Sequence, residues 1–220
     1  MRVYFVRHAE SLKSVQDRHG GQGLPITEQG KSDIIELISF LEKEENVIFE
    51  ESLFFCSDRV QVLETAEILE LQKQISFQTE NALKNIYMGV LDGLSKEEAL
   101  SKYPKEAENL EKWRQGMIKI DDFTIPNAET MEQFYSRIFK FISSIVVQNK
   151  DVVIIGTRSV GVAITNIFNE FCDEIDIDSY IRYEFDPCSV SKFVYEANTP
   201  KVEFVNNTNF LTVKPQYPDK

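Results

Sequence analysis

Three short apolar runs in this sequence end at positively charged side chains. The first run stops at Arg7 and His8, the second shortly before Arg59, and the third shortly before Arg158. Arginine suits a phosphate group because its planar guanidinium offers paired N–H donors and keeps its charge. A histidine in the same place could act as a nucleophile toward phosphorus. These residue types predict an anion pocket if the three run ends lie side by side.

The apolar runs themselves predict strands that would bring these ends together. They cover residues 3–6, 53–56 and 152–155 and are rich in β-branched and aromatic residues, which is typical of buried strands. Segments of helical periodicity follow, one of them behind a plausible N-cap at Thr27. Strands that alternate with helices favour an α/β three-layer sandwich, with a mostly parallel sheet and helices on both faces. Ligands of such folds bind at the carboxyl ends of the strands, where the cations stand.

The middle of the chain is less regular than its two ends. From about residue 80 to residue 128, glycines and prolines separate short helical pieces such as 96–102 and 107–114. We interpret residues 80–146 as a cap-like helical insertion within a single domain that spans residues 1–220. Alternating stretches near 192–195 and 202–205 predict antiparallel strands towards the end.

The charge balance argues against several classes of partner. There are 36 Asp and Glu residues against 24 Lys and Arg, which gives a net charge of −12. Nucleic acids and anionic membranes bind through Lys and Arg, so we expect neither as a partner. The sequence shows no leader peptide and no long apolar stretch, which predicts a cytoplasmic protein. Three cysteines and two histidines without ligand spacing predict no metal site.

The order of motifs along the chain resembles that of one known family. Arg7-His8-Ala9-Glu10-Ser11 is similar to the Arg-His-Gly signature of the histidine phosphatase superfamily, which has the phosphoglycerate-mutase-like fold. Five further segments follow in the family's order and spacing: Leu24-Pro25-Ile26-Thr27-Glu28-Gln29-Gly30, Ser57-Asp58, Glu64-Thr65-Ala66, Gly89-Val90-Leu91-Asp92-Gly93 and Ala128-Glu129-Thr130. The resemblance covers nearly the whole chain.

The resemblance implies an α/β sandwich with a helical insertion. It also implies transfer of a phosphoryl group onto a histidine, with no metal ion and no other cofactor. The matching nucleophile is His8, beside the phosphate-binding Arg7. Gln61, Arg158 and Ser14 are the other residues expected at the phosphate, and many members carry asparagine at the position of Ser14. The ligand would be a phosphorylated small molecule or a phosphorylated side chain of a protein.

Three positions depart from the family's catalytic pattern. Gln61 stands where the second phosphate arginine is expected, Asn85 where the general acid is expected, and Arg158 where the second histidine is expected. Asparagine cannot protonate a leaving oxygen, and loss of a general acid alone typically costs about 100-fold to 10,000-fold in rate. Arg158 adds one positive charge to the pocket, and Gln61 removes one from another position. The total charge of the pocket is thus nearly kept, so we expect phosphate binding to survive even though catalysis is lost.

These departures leave two main hypotheses. We favour a protein that binds a phosphorylated ligand with weak or no hydrolysis, a possible pseudoenzyme. The alternative is an active phosphomonoesterase that forms a phosphohistidine on His8. Its acid would have moved to Glu80 or Asp92, or its substrate would need no strong acid. A mutase fits less well, because return of the phosphoryl group needs the same acid and second histidine. We further expect Arg59 to point away from the pocket, and we interpret His19 as a loop residue.

Overall fold

Six strands form one sheet in the computed structural model, which describes residues 1–12, 21–119, 122–170 and 183–214. The strands are β1 (Arg2–Arg7), β2 (Leu53–Cys56), β3 (Gln78–Thr79), β4 (Val152–Gly156), β5 (Val190–Glu196) and β6 (Thr199–Asn207). Their order across the sheet is β3, β2, β4, β1, β5, β6. The first four in this order run parallel, whereas β5 is antiparallel to both of its neighbours. The predicted mostly parallel sheet is confirmed. The antiparallel strands predicted towards the end of the chain are also confirmed, as β5 and β6.

Helices cover both faces of this sheet. They are α1 (Glu28–Lys43), α2 (Val60–Lys73), α3 (Lys96–Lys102), α4 (Pro104–Arg114), α5 (Met131–Val146) and α6 (Arg158–Glu170). Apolar side chains of α1 and α2 pack on one face, and those of α5 and α6 pack on the other. Thr27 is the N-cap of α1, since its side-chain oxygen accepts a hydrogen bond from the Gly30 N–H. The predicted three-layer α/β sandwich is confirmed.

The central strands are apolar throughout because both of their faces are buried. In β1, Val3 and Phe5 belong to the core beneath α5 and α6, whereas Tyr4 and Val6 belong to the core beneath α1 and α2. Strand residues alternate between faces, so Arg7 at the end of β1 stands on the same face as Phe5. Continuous apolar runs of this kind are typical of parallel strands covered on both sides.

A smaller apolar cluster lies outside the two main cores. Its buried members are Met88, Leu91, Ala99, Ala107, Leu110 and Trp113. This cluster joins α3 and α4 to the loop before them, while α5 packs directly on the sheet. The interpretation of residues 80–146 as an insertion stays a prediction. Among the helices of the described ranges, none combines the length and the apolar character that a bilayer crossing requires.

Candidate functional site

The carboxyl ends of β1 and β4 lie side by side at one edge of the sheet. Arg7 is paired with Gly156 in the parallel ladder, and the His8 N–H donates to the Gly156 carbonyl at 3.0 Å. Arg158 follows as the first residue of α6. The backbone therefore brings Arg7, His8 and Arg158 to adjoining strand ends.

The His8 ring is buried and is oriented by its own loop. Only 5% of the residue is exposed, and Nδ1 lies 2.8 Å from the carbonyl oxygen of Ala9. A carbonyl oxygen only accepts, so Nδ1 carries the proton and Nε2 keeps a lone pair in the neutral ring. This tautomer is the one that a nucleophile toward phosphorus needs.

Carbonyl groups of one short segment hold both guanidinium groups. Arg7 Nη1 donates to the Phe185 carbonyl, and Arg158 Nη2 donates to the Tyr183 carbonyl at 3.4 Å. Both arginines are half-buried. A neutral carbonyl orients a guanidinium without neutralising its charge. Residues 183–185 therefore fix the two cations at the same corner of the sheet.

The loop after β1 is tied to α1 and α2. The Ala9 N–H donates to Thr65 Oγ1 at 3.1 Å, and the Thr65 hydroxyl donates to the Gln61 carbonyl at 2.7 Å. On the side of α1, the Thr27 N–H donates to the Glu10 carbonyl at 2.9 Å. The Thr27 hydroxyl donates to Glu10 Oε1 at 2.7 Å. These bonds explain how the threonines of two sequence motifs, Thr27 and Thr65, belong to the site: both hold the loop that carries His8.

The close approach of α1 to this loop depends on a glycine. A Cβ atom on Gly30 would lie 2.5 Å from the backbone carbonyl oxygen of Glu10. Any larger side chain at Gly30 would push α1 away from the loop, because a backbone oxygen cannot swing aside as a flexible side chain can.

Gln61 is buried near the start of α2, one helical turn before Thr65. It is 2% exposed, and its Oε1 has no hydrogen-bond partner among the described residues. That oxygen lies 1.9 Å from the point where a Cβ on Gly23 would stand, and Gly23 has a φ of +94°. The Gln61 side chain thus occupies the space beside Gly23 in which any other residue would place its Cβ atom.

Arg59 precedes α2 instead of lying on it. It is the N-cap residue, with an extended backbone at φ −75° and ψ 142°. The expectation that Arg59 points away used helical spacing, which does not apply to an N-cap residue, so it stays a prediction. Helical spacing relative to Gln61 therefore does not set the direction of the Arg59 side chain.

Asn85 reaches the end of β4 from the loop before α3. Its Oδ1 accepts hydrogen bonds from Thr157 Oγ1 at 3.1 Å and from Ser159 Oγ. These two hydroxyl residues are buried and flank Arg158 in the sequence. The residue at the expected position of the acid is therefore next to the expected position of the second histidine.

Arg137 on α5 fixes the backbone that carries Asn85. Its guanidinium donates to the carbonyl groups of Ala82, Lys84 (2.8 Å) and Asn85 (3.3 Å). It also donates to both carboxylate oxygens of Glu129, at 2.7 and 2.9 Å. A bidentate pair of this kind is geometrically specific, so the loop from Ala82 to Asn85 is clamped to α5.

Sequence reasoning assigned no role to Thr157, Ser159 or Arg137. The sequence signal that could have identified Thr157 and Ser159 as site residues was their position on either side of Arg158. Arg137 stands three residues after Phe134 and four before Phe141, within the apolar stripe of α5. A charged residue in such a stripe indicates a paired, partly buried cation.

Four further residues were considered for the site: Asp92 and Glu80 as alternative acids, Ser14 at the phosphate and His19 as a loop residue. Asp92 Oδ2 accepts from the Gly21 N–H at 3.0 Å, and its buried Oδ1 has no partner among the described residues. The Glu80 N–H donates to the Cys56 carbonyl at 2.9 Å, next to the end of β2. Ser14 and His19 lie outside the described residues. Within the described ranges no three His, Cys, Asp or Glu side chains form a group that could hold a metal ion.

Two buried acidic groups lie behind the loop after β1. The Cys188 N–H donates to the carbonyls of Arg7 (3.1 Å) and His8 (3.2 Å), and burial raises the pKa of the Cys188 thiol well above its ordinary value. Burial also raises the pKa of Asp33, while the hydrogen bond from Gln29 lowers it. A thiol held neutral in this way is a poor nucleophile, so His8 remains the candidate at this edge.

The chain is similar to proteins of one family over nearly its whole length. The model of the histidine phosphatase superfamily (branch 1) matches residues 3–208. A 6-phosphofructo-2-kinase/fructose-2,6-bisphosphatase of Caenorhabditis elegans is 30% identical over 140 residues, which are 62% of this chain and 27% of that protein. The chain thus spans about a quarter of the length of this curated relative.

Solved structures with the same fold include several phosphatases. Bacillus stearothermophilus YhfR is 21% identical, with a TM-score of 0.77 and coverage of 95% of this chain and 98% of its own. The alpha-ribazole phosphatase of Shigella flexneri is 20% identical, with a TM-score of 0.74 and coverage of 94% and 96%. A phosphoserine phosphatase mutant of Entamoeba histolytica in complex with phosphoserine is 16% identical, with a TM-score of 0.72 and coverage of 96% and 98%. At these identities the likeness shows the fold alone.

Proposed function

The chain belongs to the histidine phosphatase superfamily, and from this premise we propose that its pocket binds the phosphate group of a phosphorylated ligand with weak or no hydrolysis. The observation that carries the proposal is the meeting of Arg7, His8 and Arg158 at adjoining strand ends. Two guanidinium groups attract a phosphate dianion through charge-assisted hydrogen bonds. The ligand is a phosphorylated small molecule or a phosphorylated side chain of a protein.

Weak hydrolysis follows from the three substituted positions. A phosphate ester loses an alkoxide, which needs a proton as the P–O bond breaks. The Asn85 amide has no proton to give at neutral pH. Removal of a donor that stabilises developing charge typically costs about 100-fold to 1,000-fold more. Gln61 and Arg158 each change such a group, so the losses together would bring turnover close to zero.

Binding survives because the pocket keeps its total charge. A neutral Gln61 takes away one positive charge on the side of α2, and Arg158 supplies one at the start of α6. Half-burial of both Arg7 and Arg158 strengthens their attraction for an anion relative to an exposed arginine. The pocket therefore recognises charge while lacking the groups that move protons.

Calorimetric titration with inorganic phosphate at low salt tests the binding. Arg7→Ala and Arg158→Ala should each weaken binding by about tenfold or more, because a hydrogen bond to a charged group contributes about 1.5–3 kcal/mol. Arg114→Ala is the matched control. It removes the same charge from α4, where Arg114 lies 4.0 Å from Glu111, and should change the affinity by less than about twofold. A wild-type protein that releases no heat with phosphate would overturn the proposal.

The tautomer of His8 favours a second candidate, an active phosphomonoesterase. The Nε2 lone pair would form an N–P bond as the ester P–O bond breaks, and water would then release phosphate from the histidine. The leaving oxygen would take its proton from Asp92 or Glu80, or would leave as a stable anion. The buried Oδ1 of Asp92, which has no partner among the described residues, is the observation in favour of this acid.

Turnover of an aryl phosphate separates the two candidates. Wild type and His8→Ala are purified in the same way and assayed side by side. A binding protein should give equal, near-background rates for both. Rates in the ordinary enzyme range of about 1–1,000 s⁻¹ that vanish with His8→Ala would establish the phosphomonoesterase instead.

A further inference from the structure

We infer that Asn85 is a specificity-determining residue of the pocket, whose amide nitrogen donates a hydrogen bond to an oxygen of the bound phosphate ester. The inference rests on the proposed function, because it requires a phosphate group beside Arg158. The loss of the general acid at this position explains weak catalysis but gives Asn85 no role of its own. The inference assigns Asn85 a role in binding the phosphate ester. The evidence comes from the contacts of both ends of the side chain and of its backbone.

The two ends of the amide are chemically different, and the structure distinguishes them. Oδ1 only accepts hydrogen bonds, and it receives them from the hydroxyls of Thr157 and Ser159. Nδ2 only donates, and no described residue accepts from it. The half-buried Asn85 therefore holds two N–H donors on the side turned from these hydroxyls.

The amide is also held in place before any ligand arrives. Arg137 donates to the carbonyl groups of Asn85 and Lys84, and Lys84 Nζ lies 2.9 Å from Asp58 Oδ2, just beyond β2. The loop is thus attached to both α5 and the end of β2. A donor that is already fixed loses little conformational freedom on binding, so more of its interaction energy appears as affinity.

A phosphate ligand favours this orientation over the reverse one. Rotation of the amide by half a turn would point Oδ1 at the ligand, and its lone pairs would repel those of the phosphate oxygens. The hydroxyl oxygens of Thr157 and Ser159 lie 3.3 Å apart. Asn85 Oδ1 can therefore accept a hydrogen bond from each of these hydroxyls. The ligand that fits is a monoester whose phosphate presents only acceptors, which is the fully ionised form. An ionised carboxylate at residue 85 would repel that form, because it has acceptors only.

Asn85→Asp tests the inference with almost no change of shape. One carboxylate oxygen keeps the bonds from Thr157 and Ser159, and the other replaces the donor with a negative charge. We expect the affinity for inorganic phosphate and phenyl phosphate to fall by about 50-fold or more. Asn81→Asp is the matched control, since it adds the same charge to an exposed residue of the same loop. It should change the affinity by about twofold at most.

The role of the two hydroxyls is tested by a pair of double variants. Thr157→Val with Ser159→Ala removes both donors and should lower phosphate affinity about fivefold. Thr157→Ser with Ser159→Thr keeps both hydroxyls and should bind within about twofold of wild type. Thermal unfolding of each variant ensures that the folded proteins are compared. Equal affinities for the two double variants would overturn the positioning role.

A measurement on the wild type does not depend on any variant folding. The side-chain amide signals of Asn85, assigned by their absence in Asn85→Ala, should shift in ¹H–¹⁵N spectra when phosphate is added. Unmoved signals at saturating phosphate, or an Asn85→Asp variant that binds within about threefold of wild type, would overturn the inference. The proposed function would then still stand if Arg7→Ala weakens binding by about tenfold or more. A wild type that does not bind phosphate would overturn both.

Discussion

Thr65 is the residue through which α2 holds the loop after β1, and its replacement gives the sharpest test of that connection. Its hydroxyl accepts from the Ala9 N–H at 3.1 Å and donates to the Gln61 carbonyl at 2.7 Å. Both Thr65 and Ala9 are fully buried. Valine has nearly the shape of threonine, so Thr65→Val removes the two hydrogen bonds with little change in packing.

The size of the effect follows from the burial of Ala9. A buried N–H group without an acceptor costs about 1–3 kcal/mol, and water cannot replace the lost hydroxyl at a fully buried site. Loss of the bond to the Gln61 carbonyl contributes about 0.5–1 kcal/mol more. We therefore expect Thr65→Val to lower the free energy of unfolding by about 2–3 kcal/mol. For a chain of this size that corresponds to a Tm lower by roughly 4–12 °C.

Thr65→Ser is the matched control, because it keeps the hydroxyl and removes one buried methyl group. That loss should cost only about 1 kcal/mol. Urea and thermal unfolding of the three proteins should give the order wild type, serine variant, valine variant. Phosphate titration should give the same order of affinity, because the loop carries His8. A valine variant as stable as the serine variant would refute the assignment of the Thr65 hydroxyl as the anchor of this loop.

Three further predictions concern the site and its surroundings. The combined reversion Gln61→Arg, Asn85→Glu and Arg158→His should raise aryl phosphate hydrolysis well above wild type, while single reversions achieve much less, because residues that act as a unit are non-additive. A folded but inert triple variant would show that the pocket shape has also departed. Gly23→Ala should lower stability by about 2 kcal/mol or more in thermal unfolding, since its φ is +94° and its Cβ would collide with Gln61. An unchanged Tm would contradict this. Burial raises the pKa of Asp33, so the folded chain binds the proton of the Asp33 carboxyl group more tightly than the unfolded chain does. This proton stabilises the fold at low pH, and the stabilisation is lost as the pH rises through the raised pKa. Asp33→Asn should thus stabilise more in urea at about pH 7 than at about pH 4, and equal effects would contradict the assignment.

The sheet and its helices could be predicted because their signals are local. The run Val3 to Val6 and the run at 152–155 are apolar on both faces, which is typical of parallel strands covered by helices on both sides. The N-cap at Thr27 was visible for the same reason, since a cap and its helix are adjacent in the chain. Helical spacing could not set the direction of the Arg59 side chain, because Arg59 is the N-cap residue and its extended backbone lies outside the regular helix.

The contacts of Asn85 could not be predicted, because they join distant parts of the chain. Thr157 and Ser159 are 72 and 74 residues away from it, and the Arg137 guanidinium is 52 residues away. No spacing rule relates such positions, and an isolated hydroxyl residue is compatible with many surface roles. The resemblance to a family could mark residue 85 as the place of the acid. Only the fold shows what surrounds the amide that stands there.

Those surroundings bear on how the three departures would act together under the proposed function. Asn85 Oδ1 accepts from the hydroxyls of Thr157 and Ser159, so the amide occupies the place of the acid without offering a proton. Relative to the family's pattern, the chain lacks a positive charge at Gln61 on α2 and has an additional one at Arg158 on α6. Under the proposed function, guanidinium and amide donors of this kind would hold a dianion and transfer no proton. If His8-dependent turnover remains and neither Asp92 nor Glu80 supplies the proton, the substrates must be esters whose leaving oxygen is already stable as an anion, so aryl phosphates should be hydrolysed and alkyl phosphates should not.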